Sequence, residues 1–255
     1  MSSTLNAGLD LQARSGGKLF AVDDSCSVSA AEGYERWAPV YDDVPNPLLA
    51  REERYLLPML TDVKSKSVFD VACGTGRWLE KVVALGCATG VGIDRSAAML
   101  RVARNKSAIR QRLVEGDCEK LPFPDAVFDV AICSFALGHI EKLGAMVREL
   151  ARVMRGGAEV FVSDLHPEAY ALGWRTGFRN DGTAVQIEMR PRSVAEIVRE
   201  FCANGFEWGR QVSLWLGEPE EPVFARAGKL HSFTEACRVP AVFVCQFRRL
   251  AELER

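Results

Sequence analysis

The sequence predicts an α/β fold built on a doubly wound sheet that is mostly parallel and carries an antiparallel edge strand. Short apolar runs alternate with helix-length segments between residues 67 and 163, which is the order of strands and helices in βαβ units. The apolar runs are nearly continuous, as is typical of parallel strands that helices cover on both faces. A glycine-rich turn follows the first run, at the strand end where open sheets of this class bind ligands.

The alternation assigns five strands and the helices between them. The predicted strands cover residues 67–72, 88–93, 112–115, 127–133 and 158–163. The predicted helices cover residues 77–85, 96–106 and 141–154. Ser96 is expected to cap the second helix. A loop or hairpin around 180–182, a helix over 192–202 and strands over 206–216 and 241–247 follow. No crossover helix joins the last two strands, which predicts an antiparallel pair and a mixed edge.

The pattern divides the chain into an extension and one domain. Residues 1–28 are polar and rich in serine and glycine, which predicts a flexible N-terminal extension. Residues 29–255 are expected to form the domain. Its expected parts are an N-terminal helical cap over about 30–60, a core over about 62–165 and further elements over about 166–235.

Composition excludes several classes of function. The 255 residues carry a net charge of −2, and without a basic patch the chain is not expected to bind nucleic acid. The eight cysteines show no CxxC spacing, so no metal site is expected, and the thiols suit a reducing compartment. The sequence has no apolar signal core and no run of about 20 apolar residues, so we expect a cytoplasmic protein without a membrane span.

The sharpest signal is the turn over residues 73–76, where the first predicted strand becomes a helix. Gly74 and Gly76 permit a tight turn and the close approach of a ligand. The helix start offers N–H groups to a carboxylate or phosphate, and Asp70, just before the turn, can accept from an ammonium group. Leu79 replaces the third glycine of a dinucleotide fingerprint, which disfavours a nicotinamide enzyme. A turn without any ligand is the remaining alternative.

Acidic residues follow the next two strands. Asp94 comes twenty residues after Gly74, at the spacing of a carboxylate that accepts both ribose hydroxyls, although an aspartate here also suits a helix cap. Asp117 can accept from an adenine amino group, and the backbone N–H of Cys118 can donate to the ring. The segment that begins at Ser134 follows the fourth strand, at the same edge of the sheet.

The ordered set of motifs resembles the class I S-adenosylmethionine (SAM) dependent methyltransferases, within the branch of ubiquinone/menaquinone-biosynthesis and small-molecule enzymes. The resemblance covers about residues 66–165 and implies a Rossmann-like fold. The matching segments are residues 70–76, 92–94, 115–117, 121–124, 128–129 and 149–157. One departure is Arg155 and Gly156, where the family usually has Lys-Pro; it affects only the turn into the fifth strand.

The resemblance implies SAM as the cofactor, with its carboxypropyl tail at the glycine turn, its ribose on Asp94 and its adenine beside Asp117 and Cys118. It also implies that an N-terminal segment with paired tyrosines folds over the cofactor as a lid, the alternative being a helix that only packs on the sheet. The expected cofactor-binding residues are Tyr34, Tyr41, Asp70, Ala72, Gly74, Gly76, Asp94, Arg95, Asp117, Cys118, Ser134 and Phe135.

Methyl transfer from a sulfonium requires mainly alignment and the exclusion of water. A general base is needed only when the acceptor is a poorly acidic hydroxyl, amine or carbon acid. His166 follows the fifth strand and is the first candidate, and Asp164 is expected to orient it or to contact the substrate. His139 is a second candidate, with a structural histidine at a helix start as the alternative. His231 is expected at the surface or at a pocket rim.

These features predict a SAM-dependent methyltransferase that acts on a small molecule, with oxygen as the first acceptor atom. The later elements, over about 166–235, are expected to lie on the acceptor side. A carbon or nitrogen acceptor in a quinone-like or other small molecule stays open. A catalytically inactive SAM-binding regulator and a nucleotide-cofactor oxidoreductase on the same fold also stay open.

Overall fold

The computed structural model describes residues 26–180 and 183–251. Its strands are β1 (Cys26–Val28), β2 (Ser67–Val71), β3 (Thr89–Asp94), β4 (Leu113–Glu115), β5 (Phe128–Ser134), β6 (Met154–Leu165), β7 (Gly177–Asn180), β8 (Thr183–Ile187), β9 (Phe206–Trp215) and β10 (Pro240–Arg249). Its α-helices are α1 (Ala30–Trp37), α2 (Pro47–Leu56), α3 (Arg77–Ala84), α4 (Ala97–Arg104), α5 (Leu143–Val153), α6 (Pro167–Ala171), α7 (Val194–Ala203), α8 (Glu221–Arg226) and α9 (Phe233–Ala236). Short 3-10 helices cover Ala38–Asp43, Leu57–Val63, Leu137–His139, Glu218–Glu220 and Leu230–Ser232.

Within the described residues, seven strands form one sheet in the order β4-β3-β2-β5-β6-β10-β9. The pairs β2–β3, β3–β4, β2–β5 and β5–β6 are parallel, which confirms the predicted α/β class and its mostly parallel sheet. Val68, Phe69 and Val71 of β2 are fully buried, as the continuous apolar run predicts. From β2 the chain builds outward through β3 and β4, then returns to β5 on the other side. The switch point of this sheet therefore lies between β2 and β5.

The mixed edge of the sheet comes from β10, which lies between β6 and β9. The Leu250 N–H donates to the Gly205 carbonyl over 3.0 Å, and a Cβ at Gly209 would lie 3.2 Å from the Gln246 carbonyl oxygen. Gly205 thus lies beside Leu250, and Gly209, further along β9, lies beside Gln246, which comes earlier in β10. The two strands are therefore antiparallel, as predicted. The antiparallel strand is the last one in the chain, and it lies one position inside the edge strand β9.

The described chain divides into two compact units. One comprises 26–56, Leu165–Pro191 and Ser213–Phe243, and the other comprises Leu57–Asp164, Arg192–Val212 and 244–251. The first unit contains a small sheet in which β8 pairs in parallel with β1 and antiparallel with β7. The β7–β8 pair is the hairpin expected around 180–182, and residues 181–182 themselves lie outside the described residues.

The N-terminal boundary differs from the expected one. Residues 26–28 form β1, and Val28 is buried beside Trp37 and Ile187, so these three residues are part of the folded unit. A three-residue strand is too short to show a periodic pattern, which is why the sequence assigned it to the extension. The rest of the predicted extension, residues 1–25, lies outside the described residues.

The helix starts follow their capping residues. The Ser96 Oγ accepts from the Met99 N–H over 3.3 Å, which confirms the predicted cap of α4. The Ser29 Oγ accepts from the Glu32 N–H at the start of α1. That helix ends at Trp37, and the chain continues as a 3-10 turn that contains Pro39, because proline has no N–H to continue the α-helical hydrogen bonds. Among the described helices, none is both long and apolar enough to cross a membrane.

Two of the segments that carry the resemblance, residues 121–124 and 149–157, are joined by hydrogen bonds. Glu149 on α5 accepts from the Leu121 N–H over 2.7 Å. Arg152, one turn later, donates to the carbonyls of Leu121 and Phe123 and to the carboxylates of Glu149 and Asp125, all within 2.9 Å. The residues 121–125 are thereby fixed against α5. Because Arg152 donates to Glu149, the pKa of that carboxyl is lowered, so protonation weakens the clamp only in acid.

Replacing Arg152 with alanine is expected to lower the free energy of unfolding by about 2–3 kcal/mol, because several charge-assisted hydrogen bonds are lost together. For a chain of this size, the melting temperature should fall by roughly 4–12 °C. Thermal unfolding followed by circular dichroism measures the change. The matched control is Arg148→Ala on the same helix, at an exposed position, which should change the melting temperature little. Equal effects of the two variants would show that the clamp contributes nothing to stability.

Candidate active site

The glycine turn after β2 requires left-handed backbone at three positions. The φ angles are +52° at Ala72, +55° at Gly74 and +78° at Gly76. A Cβ at Gly76 would collide with the side chain of Ile109, whereas a Cβ at Gly74 would meet no atom within 4 Å. Gly76 is therefore needed for packing as well as for its φ angle, and the space in front of Gly74 is open to a ligand.

Asp70 connects the strand to the helix that follows the turn. Its side chain is buried, and its Oδ2 accepts from the Leu79 N–H over 2.9 Å, in the first turn of α3. This bond fixes the helix start relative to β2 and so defines the shape of the turn. Its predicted contact with an ammonium group stays a prediction.

Asp94 holds two backbone segments at the end of β3. Its Oδ2 accepts from the Gly74 N–H over 2.7 Å, and its Oδ1 accepts from the Ser96 N–H over 2.8 Å. Burial raises the pKa of this carboxyl, against the opposing effect of the Ser96 and Gly74 amides and the charge of Arg95. Each carboxylate oxygen can accept more than one hydrogen bond, so these bonds leave acceptor capacity for two hydroxyls. The sequence left two roles for Asp94 open, a helix cap and an acceptor for the ribose hydroxyls. The geometry is compatible with both.

The next segment, residues 116–118, is tied to the same strand end. The Gly116 N–H donates to the Asp94 carbonyl over 3.0 Å. Asp117 is exposed, and its Oδ1 accepts from the Glu119 N–H. Burial, together with the charges of Asp117 and Glu119, raises the pKa of the Cys118 thiol to about 12. The thiol therefore stays protonated near neutral pH and is not a nucleophile.

The end of β5 carries Ser134 and Phe135. The Ser134 Oγ accepts from the Arg77 Nη2 over 3.0 Å. Phe135 has a φ of +52°, and its N–H donates to the Ser163 carbonyl over 2.8 Å. Ala72 and Phe135, which follow two paired strands, are both non-glycine residues with left-handed backbone. Such backbone occurs mostly where the surroundings impose it, often at functional sites.

Asp164 and Arg192 fix the turn that contains His139. Asp164 is buried, and its Oδ2 accepts from the Gly138 N–H over 3.0 Å. The guanidinium of Arg192, also buried, donates to the Ile140 carbonyl over 2.7 Å. His139 is half-buried at the end of a 3-10 turn. The predicted role of Asp164 in orienting His166 stays a prediction. The sequence did not single out Arg192, because scattered arginines usually face solvent.

His166 begins α6 and acts as its cap. Its Nδ1 accepts from the Glu168 N–H over 3.3 Å, and its Nε2 lies 3.1 Å from the Ser213 Oγ. The residue is only 7% exposed, and burial lowers the pKa of the imidazole, against the opposing charge of Glu168. His166 is therefore neutral at pH 7. The sequence identified His166 but not Ser213, which lies far along the chain. His231 is exposed, consistent with its expected place at a surface or rim.

Tyr34 and Tyr41 belong to an aromatic cluster in the first unit. Trp37 is its buried centre, with ring centroids 6.1 Å from Tyr34, 4.7 Å from Tyr41 and 5.4 Å from Phe178. Val185 and Ile187 of β8 complete the cluster. The sequence named the two tyrosines and missed the tryptophan between them. The role of this segment as a lid stays a prediction.

Residues 69–162 are similar to those of known methyltransferases. A family model described as a methyltransferase domain matches residues 69–162. The 2-phytyl-1,4-naphtoquinone methyltransferase of Synechococcus elongatus is 32% identical over 150 residues, which cover 54% of this chain and 64% of the relative. The demethylmenaquinone methyltransferase of Bacillus licheniformis is 35% identical over 117 residues, 43% of this chain and 49% of the relative. The chain thus spans less than two thirds of the length of these relatives.

A solved structure shares the fold. The S-adenosylmethionine dependent methyltransferase from Mesorhizobium loti superposes with a TM-score of 0.61 at 21% identity, and the match covers 79% of this chain and all of that one. The matched residues 69–162 include β3, β4, β5, the glycine turn, Asp70, Asp94 and Asp117. Residues 69–162 of this chain therefore match a methyltransferase domain, and the chain shares the fold of the S-adenosylmethionine dependent methyltransferase from Mesorhizobium loti.

Proposed function

We propose that the protein transfers the methyl group of SAM to a small-molecule acceptor, with a hydroxyl oxygen as the first candidate acceptor atom. The observation that carries the proposal is the paired geometry of Gly74 and Asp94. The turn leaves open space in front of Gly74, and Asp94 joins that turn to the end of β3 through a 2.7 Å bond. A ligand in this space meets a carboxylate and a helix N-terminus at one strand edge, which suits a nucleoside with a zwitterionic tail.

The residues present fit SAM at three points. Asp94 retains acceptor capacity for the ribose hydroxyls. The exposed Asp117 carboxylate and the backbone of Cys118 supply polar groups for the adenine edge. Ala72, Gly74, Arg95 and Phe135 frame the same strand ends, and we propose that they contact the cofactor through backbone or side-chain atoms. The carboxylate of Asp70, buried under the turn, supplies negative charge near the amino group of the cofactor.

SAM supplies an electrophilic methyl group on a sulfonium, so the protein has to align the acceptor and exclude water. We propose that His166 takes the proton of a hydroxyl acceptor. Its lowered pKa supports this role, because a base has to be unprotonated near neutral pH. The Glu168 bond to Nδ1 favours the tautomer with hydrogen on Nε2. Base catalysis at Nε2 therefore requires the other tautomer, which gives up the Glu168 bond to Nδ1, and an acceptor hydroxyl that takes the place of the Ser213 hydroxyl at Nε2. His139 and Asp164 are further candidates on the acceptor side.

A second candidate acceptor is the ring carbon of a quinone-like molecule. The similarity to a 2-phytyl-1,4-naphtoquinone methyltransferase and to a demethylmenaquinone methyltransferase favours it. A SAM-binding regulator without turnover would use the same cofactor residues, and only turnover separates it from an enzyme. The net charge of −2 supports a small-molecule acceptor over nucleic acid. The cytoplasmic location stays a prediction.

The test is methyl transfer from SAM with a labelled methyl group to two matched acceptor panels. One panel contains phenols and catechols, and the other contains reduced naphthoquinones that lack a ring methyl group. We expect labelled product from one panel, and mass fragmentation then separates an O-methyl from a C-methyl product. Asp94→Ala is the control for cofactor-dependent signal. SAM binding without transfer to either panel would favour the regulator, and the absence of SAM binding would contradict the proposal altogether.

A further inference from the structure

Trp215, the last residue of β9, is half exposed although it is a large apolar side chain. Its exposed fraction is 49%, whereas that of the preceding Leu214 is 1%. Side chains alternate between the two faces of a strand, so Trp215 shares a face with Ser213 and lies opposite to Leu214. A single exposed apolar side chain is common and by itself indicates nothing, so the position of this indole decides what it means.

The direction of β9 places Trp215 at the end of the sheet where ligands bind. The Gln246 Nε2 of β10 donates to the Glu159 Oε1 of β6 over 2.8 Å. A Cβ at Gly156, earlier in β6, would lie 3.0 Å from the Cα of Ala251, which follows β10. The strand β10 is therefore antiparallel to β6 as well as to β9, so β6 and β9 run in the same direction. Trp215 thus lies at the carboxyl end of a strand parallel to β6, where open α/β sheets bind their ligands.

Ser213 connects this strand end to the candidate base. Its Oγ lies 3.1 Å from the Nε2 of His166. Equivalent atoms two residues apart along a strand are about 6.5 Å apart, and Trp215 is two residues from Ser213 on the same face. The indole therefore lies about the width of one aromatic ring away from the side chain that contacts His166.

The backbone around Trp215 is held by α2. The Arg51 Nε donates to the Trp215 carbonyl over 2.8 Å. The buried carboxylate of Glu220 accepts from the Gly217 N–H over 2.9 Å and pairs with Arg54 over 2.8 Å. A surface that is already ordered loses less conformational entropy when a ligand binds to it. The exposed indole is therefore a preorganised binding surface.

We propose that Trp215 stacks against the ring of the methyl acceptor, which makes the acceptor a planar aromatic compound and favours fused rings over a single ring. The inference rests on the proposed function and names its substrate class. Aromatic rings that stack are stabilised beyond the apolar area that they bury, and a second fused ring adds to that area. Tryptophan offers a large contact area at a low cost in side-chain entropy. An acceptor hydroxyl at His166 leaves its ring beside Trp215.

The test measures acceptor binding separately from turnover. Catechol and the naphthalenediol with the same adjacent hydroxyls, which differ by one fused ring, are titrated calorimetrically into protein saturated with S-adenosylhomocysteine. Wild type should bind the naphthalenediol about 5- to 10-fold more tightly than catechol. Trp215→Ala should weaken naphthalenediol binding by about 5- to 30-fold, and Trp215→Phe, which keeps a smaller ring, should lose less.

The matched control is Trp208→Ala. Trp208 lies on the same strand and is 50% exposed, and its position in β9 places its side chain on the opposite face. This variant should keep both diol affinities within about 2-fold of wild type, the range expected for a surface substitution away from the site. The affinity of Trp215→Ala for S-adenosylhomocysteine should also stay within about 2-fold of wild type, which separates lost acceptor binding from misfolding.

An unchanged naphthalenediol affinity in Trp215→Ala would overturn the inference, as would an equal loss in Trp208→Ala. Failure of wild type to bind either diol would overturn it as well. Binding of the naphthalenediol that depends on Trp215, without methyl transfer from SAM, would support the inference and contradict the proposed function. The two failures are therefore distinguishable.

Discussion

Replacing His166 with asparagine is expected to lower turnover by about 10²–10⁴-fold, the usual contribution of a general base. Asparagine is a favoured helix cap, and its Oδ1 can accept from the Glu168 N–H as the ring Nδ1 does. It cannot take a proton from the acceptor. The variant therefore separates catalysis from capping. Turnover with saturating SAM and the melting temperature are the two measurements, and the melting temperature should stay close to that of wild type.

The control for this prediction is His166→Ala, which removes the cap as well as the base. It should lower turnover by the same factor as the asparagine variant and also cost about 0.5–2 kcal/mol of stability. Near-normal turnover in the asparagine variant, with lost stability only in the alanine variant, would show that His166 is a structural cap. The acceptor would then be already ionised, or another residue would be the base.

The pH dependence of His166 has a definite sign. Its folded-state pKa is lowered, so the unfolded chain takes up the proton first as the pH falls. The stability contributed by the neutral ring is present above the unfolded pKa, about 6.5, and is lost progressively as the pH falls through and below it. Wild-type turnover should fall in acid at a pH below that of a free histidine, and His166→Asn should lose this dependence.

Replacing Asp94 with alanine is expected to weaken the binding of S-adenosylhomocysteine by about 1.5–3 kcal/mol, or about 10- to 150-fold. The ribose hydroxyls lose their acceptor, and the Gly74 N–H loses the bond that holds the turn. Isothermal titration measures the change. Because burial raises the pKa of Asp94, affinity in wild type should fall in acid at a higher pH than for an exposed aspartate.

The matched control is Ser96→Ala, which removes the side-chain cap of α4 and leaves Asp94 in place. It should lower stability by about 1 kcal/mol and leave the affinity within about 2-fold of wild type. If Asp94→Ala binds S-adenosylhomocysteine as wild type does, Asp94 is only a cap and the ribose assignment is wrong.

The parallel core was readable from the sequence because a buried parallel strand has to be apolar on both faces. The runs that contain Phe69, Val91 and Ile132 show this directly. The position of β10 between β6 and β9 could not be predicted from the sequence. An apolar run such as residues 241–247 predicts a strand but does not name its neighbours, since long-range pairing leaves no local pattern.

The candidate site also contains residues that the sequence indicated and features that it could not indicate. Gly74, Gly76 and Asp94 were found because backbone conformation and strand-end chemistry limit the residue types at those positions. The left-handed backbone of Ala72 and Phe135 was not predictable, since neither residue type favours it. The cap formed by His166 was missed because Glu168 supplies only its backbone N–H.

A calorimetric titration of the protein with S-adenosylhomocysteine and, separately, with NADH distinguishes a SAM site from a dinucleotide site. We expect micromolar-range binding of S-adenosylhomocysteine and a melting temperature that rises with its concentration, because a ligand that binds only the folded state stabilises it by mass action. NADH should not bind, since Leu79 stands where a dinucleotide site has its third glycine. Binding of NADH without binding of S-adenosylhomocysteine would contradict the account.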